Sequence, residues 1–151
     1  MELIYAPNKA SQKRTSVFLA GSIEMGVAEP WQDEVVKHLS NLDINVFNPR
    51  RPDWNNSWGE DSRELEEQIC WELNSIESCD TIFFYFDPNT KSPITLLELG
   101  IVLRAQKDVV VVCPNGFWRR TNVSITCEKY GVGIHNTLMG GVLSLVLKLR
   151  K

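Results

Sequence analysis

The segment Thr81-Ile82-Phe83-Phe84-Tyr85-Phe86 is apolar on both faces of an extended chain, and Val109-Val110-Val111-Val112-Cys113 has the same character. Strands of this kind are typical of a parallel sheet that helices cover on both sides. Two more strand-length apolar segments, Ser16–Ile23 and Ile44–Phe47, precede them in the chain. The sequence therefore predicts an α/β fold with a doubly wound, mostly parallel sheet of four to five strands.

Helix-length periodic segments alternate with these strands, as a flavodoxin- or Rossmann-like domain requires. The expected helices run from about Ala28 to Leu42, Asp61 to Ser78, Pro93 to Gln106 and Thr137 to Leu149. A length of 151 residues with 43% hydrophobic residues is enough for one core. We therefore expect a single domain, with residues 1–15 as an N-terminal extension.

The charge balance argues against a protein that holds nucleic acid or an anionic membrane. Lys and Arg number 16 against 19 Asp and Glu, which gives a net charge of −3. No segment reaches the roughly 20 apolar residues needed to span a bilayer, and the first residues lack the basic and apolar regions of a signal peptide. We expect a soluble cytoplasmic protein whose partners are small molecules or other proteins.

The cysteines and histidines give no sign of a metal site. The four cysteines are Cys70, Cys79, Cys113 and Cys127, and they lack the CxxC or Cys/His spacing of metal ligands. We expect buried free thiols, no bound metal and no cofactor. Because the chain has only two histidines, acid–base chemistry is expected to depend on carboxyl groups.

Glu72 lies on the apolar face of the expected helix from Asp61 to Ser78. It follows Ile69 by three residues and precedes Ile76 by four, so the three side chains share one face. The apolar positions of this stripe are Leu65, Ile69, Leu73 and Ile76. A carboxyl group on a face that meets the core must be paired, protonated or directed into a cavity.

Glu98 repeats this arrangement on the next expected helix, four residues after Ile94 and three before Ile101. Ser92 is expected to cap the start of that helix, with Pro93 as its first residue. The positive end of the helix is then expected to favour the ionised form of Glu98.

Each glutamate has a structural interpretation beside the functional one. A long carboxylate side chain can reach past an apolar face to solvent, or pair inside the protein with an arginine such as Arg104. Two such glutamates, Glu72 and Glu98, on helices that flank the same strand favour a functional site.

Further candidates lie in the loops after the predicted strands, because ligands of doubly wound sheets bind beyond the carboxyl ends of the strands. These loops contain small and polar residues that we expect to contact a substrate. They are Gly21, Ser22, Asn48, Arg50, Asp87 and Ser92.

Four segments at these strand ends resemble the nucleoside 2-deoxyribosyltransferase-like proteins, relatives of the deoxynucleoside monophosphate N-glycosidases. The segments are Phe18–Ile23, Asn48–Arg51, Ser92–Gly100 and Arg119–Val123. They occur in the same order as in the family, and the likeness extends from about Val17 to Gly133.

The resemblance implies cleavage of the N-glycosidic bond of a nucleoside or nucleotide through a covalent sugar intermediate. Glu98 matches the family's nucleophile, and Glu72 matches a second acid, usually aspartate, that handles the proton of the base. Asn122 matches an asparagine that the transferases contribute to a neighbouring subunit's site, which implies a homo-oligomer, at least a dimer. Transfer of the 2-deoxyribosyl group to another nucleobase and transfer to water both remain open.

Two departures from the family pattern bear on function. The family has a tyrosine on the first strand that hydrogen-bonds the nucleophile, whereas this chain has Val17, Phe18 and Leu19 there. Tyr85 is a candidate substitute. The alternative function is therefore a catalytically impaired nucleoside- or nucleotide-binding module. Glu24 stands where the monophosphate hydrolases have an arginine, which favours free nucleosides as substrates. An interaction domain with Asp87 as phosphoacceptor is a third, less favoured reading.

Overall fold

The computed structural model of the chain describes residues 1–24, 28–55, 57–59 and 61–150. Its strands are β1 (Glu2–Ile4), β2 (Ser16–Gly21), β3 (Asn45–Phe47), β4 (Thr81–Tyr85), β5 (Asp108–Val112) and β6 (Ile134–His135). Its helices are α1 (Trp31–Leu39), α2 (Arg63–Ser78), α3 (Pro93–Arg104), α4 (Arg120–Lys129) and α5 (Leu138–Leu149). The strands form one parallel sheet in the order β1-β3-β2-β4-β5-β6. The predicted doubly wound α/β fold is confirmed.

The winding direction of the chain changes between β2 and β4. From β2 the chain passes through α1 to β3, and from β3 it returns through α2 to β4 on the other side of β2. Consequently α1 and α5 pack on one face of the sheet, and α2, α3 and α4 pack on the other. A ligand is expected at the carboxyl ends of β2 and β4, where Gly21 is paired with Tyr85.

The core has two halves, one on each face of the sheet. Along β4, Ile82 and Phe84 point toward α2, α3 and α4, whereas Phe83 points toward α1 and α5. All three side chains are completely buried. Because successive strand residues point to opposite faces and both faces are covered, every central position of β4 has to be apolar.

The described residues form a sheet of six strands, where the sequence predicted four to five. β1 comes from residues 1–15, which we expected to be an extension, and it pairs with β3 over three residues. β6 has only two residues and pairs with β5. Strands this short carry no periodic signal of their own, and they form because the edge of a neighbouring strand offers backbone groups for pairing.

The helices also differ from the prediction. α4 was not predicted, because only Val123 and Cys127 of its residues are buried and the sequence shows no apolar stripe there. α1 is shorter than predicted, since it begins at Trp31 and ends at Leu39. Among the helices in the described parts of the chain, none combines the length and the apolar character needed to cross a membrane.

The cysteines are free, as predicted, but one of them is not buried. Cys79, Cys113 and Cys127 are buried, and Cys70 is exposed on α2. Burial raises the pKa of the Cys79 thiol to about 12 and the pKa of the Cys113 and Cys127 thiols to about 11. The three buried thiols are therefore protonated side chains of the core.

Candidate active site

A cleft with a volume of about 800 Å³ lies between α2 and α3, and Phe18, Ala20 and Gly21 of β2 contribute to its lining. Glu72 and Glu98 both line this cleft. Other lining residues are Glu24, Pro49, Arg50, Arg51, Trp54, Leu65, Gln68, Ile69, Leu73, Ser92, Ile94, Thr95, Leu97 and Ile101. The cleft adjoins the switch point of the sheet, where this fold class binds ligands.

The orientation of Glu72 follows from the packing of Trp71, the residue before it. The Trp71 ring is buried, with its centre 6.1 Å from that of Phe18 and 5.9 Å from that of Phe47. Its indole N–H also donates a hydrogen bond of 2.8 Å to the carbonyl of Asn8. Consecutive helical side chains point about 100° apart, so Glu72 points sideways from the sheet contact into the cleft.

Gln68 holds the Glu72 carboxyl group from one helical turn away. Its Nε2 donates to Glu72 Oε1 at 2.7 Å and to the carbonyl of Pro49 at 3.0 Å. Gln68 is 2% exposed, so its own position is fixed by packing. Gln68 was not among the predicted site residues, although the spacing of four residues to Glu72 is the spacing at which helical side chains meet.

Glu98 is positioned in a similar way on α3. The next residue, Leu99, is buried against the sheet together with Val102 and Leu103. Glu98 itself is 6% exposed. No hydrogen bond or ion pair to its carboxyl group occurs among the described residues, so this group is available to a ligand.

Both carboxyl groups are harder to ionise than ordinary glutamates. Burial raises the pKa of Glu98 to about 8, with a further contribution from the negative charge of Glu72. Burial raises the pKa of Glu72 to about 7, against a smaller lowering by the hydrogen bond from Gln68. Near neutral pH the pair therefore keeps at least one of its two protons.

The expectation that the helix N-terminus keeps Glu98 ionised is wrong. Glu98 lies beyond the first turn of α3, where the effect of the helix dipole has largely decayed. Desolvation and the negative charge of Glu72 both raise the pKa of Glu98, and together they outweigh the effect of the helix dipole.

The apolar stripe around Glu72 lines the cleft, and only its last member meets the core. Ile69 is 47% exposed and Leu73 is 43% exposed, whereas Ile76 is buried. On α3, Ile94 and Ile101 are likewise exposed. The two helices attach to the sheet through other faces, and the stripes that contain the glutamates form the apolar walls of an open cleft.

Three hydroxyl groups meet beside the cleft. The Oγ atoms of Ser22 and Ser92 lie 2.5 Å apart, and Thr90 Oγ1 lies 2.9 Å and 2.8 Å from them. Ser92 has a left-handed backbone with φ of 48° and makes no side-chain cap to α3, contrary to the sequence expectation. This hydroxyl cluster joins the end of β2 to the start of α3.

Gly21 allows β2 and β4 to approach closely at the cleft. A Cβ atom at this position would lie 2.5 Å from the Tyr85 carbonyl oxygen and 2.6 Å from the Trp31 ring. A side chain is therefore excluded, and the backbone of Gly21 forms part of the cleft wall.

Three other predicted substrate contacts have structural partners. Arg50 lines the cleft, but its Nη1 and Nη2 donate to the carbonyl of Ala28, each at 3.0 Å. Asn48 is buried and accepts from the Arg50 backbone N–H. Asp87 is 2% exposed and accepts from the backbone N–H groups of Asn89 and Glu29, so it shapes a loop and is not presented to solvent.

Two residues that the resemblance singled out lie away from the cleft. Tyr85 packs its ring 5.3 Å from that of Trp31, on the face of the sheet that carries α1, so its hydroxyl does not line the cleft. Asn122 is exposed on α4 and lines a second cavity of about 400 Å³ with Trp118 and Arg119.

Comparison with known proteins agrees with this architecture. The model of a family described as nucleoside 2-deoxyribosyltransferase like matches residues 14–117. The CMP N-glycosidase BcmB of Clostridium botulinum superposes with a TM-score of 0.55 and 16% identity, over 88% of this chain and 98% of that one. A conserved protein from Enterococcus faecalis V583 superposes with a TM-score of 0.53 and 14% identity, over 86% of this chain and 87% of that one. At these identities the two structures establish the fold. No curated protein matches the sequence.

Proposed function

The chain belongs to the nucleoside 2-deoxyribosyltransferase-like family, and from this premise we propose that it cleaves the N-glycosidic bond of nucleosides. The observation that carries the proposal is the pair of carboxyl groups in one cleft at the switch point of the sheet, the buried Glu98 and the partly buried Glu72. Cleavage of a glycosidic bond through a covalent intermediate requires two such groups, one as nucleophile and one as acid.

In the first half-reaction an ionised Glu98 oxygen bonds to the anomeric carbon of the sugar. The bond from that carbon to the base breaks, its electron pair stays on the base nitrogen, and Glu72 donates a proton to the departing base. The transition state has oxocarbenium character, which the negative charge of Glu98 stabilises.

In the second half-reaction the Glu72 carboxylate takes a proton from the incoming nucleophile. That nucleophile is water in a hydrolase and a second nucleobase in a transferase, and it displaces Glu98 from the sugar. The raised pKa of Glu72, about 7, supports its role as the acid, because a carboxyl group that keeps a proton near neutral pH can donate it. Glu98, with a pKa of about 8, has to lose its proton before it can attack the sugar. The apolar walls formed by Ile69 and Ile94 suit the face of a nucleobase.

A nucleoside-binding protein without turnover is the second candidate. The observation that favours it is the Glu98 carboxyl group, which lacks a hydrogen-bonding hydroxyl partner among the described residues, with Tyr85 turned to the opposite face of the sheet. Such a protein would keep the cleft and its apolar walls but would not hold the nucleophile in place for attack.

The two functions are separated by incubating the protein with a panel of ribo- and deoxynucleosides, with and without an added acceptor base. Chromatographic detection of free base identifies a hydrolase, and a new nucleoside identifies a transferase. Binding measured by calorimetry without either product supports the binding protein. Neither binding nor turnover of any nucleoside contradicts both.

We also propose a homo-oligomer in which Asn122 serves the cleft of a neighbouring subunit. Asn122 lies outside the cleft of its own chain, whereas exposed apolar side chains such as Ile94 and Leu97, which are 61% and 62% exposed, flank that cleft. An exposed apolar patch of this kind is typical of a surface that meets another protein.

Light scattering at micromolar concentration is expected to give a mass of at least a dimer. Asn122→Ala is expected to lower turnover by about 10- to 100-fold, because it removes a hydrogen bond to the substrate. Co-expressing Asn122→Ala chains with Glu98→Gln chains tests the shared site. A mixed dimer contains one cleft with both wild-type residues, so the co-expressed protein should turn over nucleosides faster than either variant alone. A monomer that turns over nucleosides would refute the shared site.

A further inference from the structure

The side chain of Gln68 uses both of its donors but not its acceptor. Its Nε2 donates to Glu72 Oε1 at 2.7 Å and to the carbonyl of Pro49 at 3.0 Å. Its Oε1 is buried and has no hydrogen-bond partner among the described residues. A buried acceptor without a partner lowers the stability of a fold, so a functional reason for this arrangement has to be sought in what the two donors do.

The carbonyl of Pro49 fixes the orientation of the Gln68 amide. A backbone carbonyl can only accept a hydrogen bond, so it has to face the NH2 group of the amide and not its oxygen. The same carbonyl accepts from the backbone N–H of Arg51 at 2.9 Å, which holds it in place on the loop after β3. Gln68 therefore presents an N–H group to Glu72 in either protonation state of that carboxyl group.

This fixed donor distinguishes the two oxygens of Glu72. Oε1 accepts from Gln68, so its lone pair is engaged and the proton of the neutral carboxyl group belongs on Oε2. Oε2 makes no hydrogen bond within the described part of the chain, and Glu72 lines the cleft. The oxygen that carries the proton is then the one left to contact a ligand.

We infer that Gln68 is a positioning residue for Glu72: its N–H group, oriented by the Pro49 carbonyl, confines the Glu72 proton to Oε2, the oxygen that donates to the departing base. The inference rests on the proposed glycosidic cleavage. In the first half-reaction the O–H bond of Oε2 breaks, its electron pair stays on Glu72, and the proton goes to the base. In the second half-reaction Oε2 takes the proton of the incoming nucleophile. Between these two steps the hydrogen bond from Gln68 stabilises the carboxylate.

The hydrogen bond from Gln68 is also the interaction that favours ionised Glu72. Burial raises the pKa of Glu72 to about 7, against a smaller lowering by this bond. Glu98, which faces it from α3, has its own pKa raised by the charge of Glu72, so the two carboxyl groups repel each other when ionised. The charged residues that line the cleft with Glu72 are Glu24, Arg50, Arg51 and Glu98.

The first test compares kcat/KM of Gln68→Met for a natural nucleoside and for a nitrophenyl glycoside, whose leaving group departs without a proton. Methionine has nearly the shape of glutamine but cannot donate, and the Pro49 carbonyl keeps its bond from Arg51. The natural nucleoside is expected to react roughly 10- to 100-fold more slowly, because the proton is no longer held on one oxygen. The nitrophenyl glycoside should change little. Asn74→Met is the matched control, because Asn74 is an exposed amide on α2 that does not line the cleft.

A double-mutant cycle separates positioning of Glu72 from a general effect on the fold. Adding Gln68→Met to Glu72→Gln should cause little further loss, because the proton that Gln68 positions is already absent. Equal slowing of both substrates in Gln68→Met, no slowing of either, or a full further loss in the Glu72→Gln background would overturn the inference and leave the proposed function intact.

An NMR titration covers the cases in which no nucleoside is turned over or Gln68→Met does not fold. In wild type labelled with ¹³C and ¹⁵N, the side-chain amide signals of Gln68 should shift with the same midpoint as the carboxyl carbon of Glu72, which Glu72→Gln assigns. In folded Gln68→Met the pKa of Glu72 should rise, because the bond that favours the carboxylate is absent.

These two NMR results would support the positioning role even where the proposed function fails. Amide signals of Gln68 that do not follow Glu72 would overturn it in wild type alone. An unchanged or lower pKa of Glu72 in folded Gln68→Met would overturn it as well.

Discussion

Glu98→Gln is expected to lower nucleoside turnover by at least about 10³-fold, because a neutral amide of the same shape is a much weaker nucleophile than a carboxylate. The measurement is release of free base, or of an exchanged nucleoside, under single-turnover conditions. Wild-type enzyme stopped by acid is also expected to yield a fraction of sugar attached to the protein, and the variant none. Near wild-type turnover in folded Glu98→Gln would contradict the covalent mechanism.

The same substitution should stabilise the fold at alkaline pH, which separates loss of function from loss of structure. Burial raises the pKa of Glu98 from 4.5 to about 8, so between these values the folded protein holds a proton that the unfolded chain has released. The free energy of unfolding therefore falls as the pH rises through this range. Glutamine cannot ionise, so the free energy of unfolding of Glu98→Gln is expected to exceed that of wild type by on the order of 5 kcal/mol at about pH 9.

The two proteins should be equally stable near pH 4, where Glu98 is protonated in both the folded and the unfolded state. Thermal or urea unfolding at the two pH values measures the difference. A variant that is less stable than wild type at both would show that Glu98 has a structural role, as the partner of a group on the protein.

Glu72→Gln is expected to slow natural nucleosides by about 10²- to 10⁴-fold, the usual contribution of a general acid. A nitrophenyl glycoside should be affected far less, because its leaving group departs without a proton. The comparison uses kcat/KM for both substrates in wild type and variant, with Glu66→Gln, an exposed acid on the same helix, as the control. Equal slowing of both substrates would show that Glu72 does not act as the acid.

The pH dependence gives a second readout of this pair. Wild type should show a bell-shaped rate profile with limbs near pH 7 and 8, since activity needs one ionised and one protonated carboxyl group. The charge of Glu72 raises the pKa of Glu98, so Glu72→Gln should lower that pKa. The acidic limb measured with the nitrophenyl glycoside is then expected to move to lower pH.

The fold was predictable because the sequences of two strands are compatible only with burial on both faces of a sheet. β4 and β5 are apolar at every central position, and a soluble protein accommodates such strands only where both sheet faces are covered. β1 and β6 were not predictable, because three or two residues have no period and their pairing depends on the edges of β3 and β5. α4 was missed for a related reason, since it buries only two side chains.

The two glutamates were predictable because a helix places residues three and four apart on one face, so a carboxyl group among apolar neighbours stands out in the chain alone. The roles of the loop residues were not predictable from the sequence. Arg50 and Asp87 have the chemistry of ligand contacts, but their partners are backbone groups of residues 28 and 29. Glu24 binds amides that follow it by more than sixty residues, and no local pattern encodes that contact.

The doubly wound sheet and the position of Glu72 and Glu98 on apolar helical faces follow from the amino-acid pattern. The open cleft that those faces line is visible only in the folded chain, where Ile69 and Ile94 are 47% and 61% exposed while Trp71 and Leu99 make the contacts with the sheet. Helical periodicity depends on the helix alone, whereas burial and pKa depend on what lies opposite each face. An apolar stripe has the same sequence pattern whether it contacts a sheet, a ligand or a second chain.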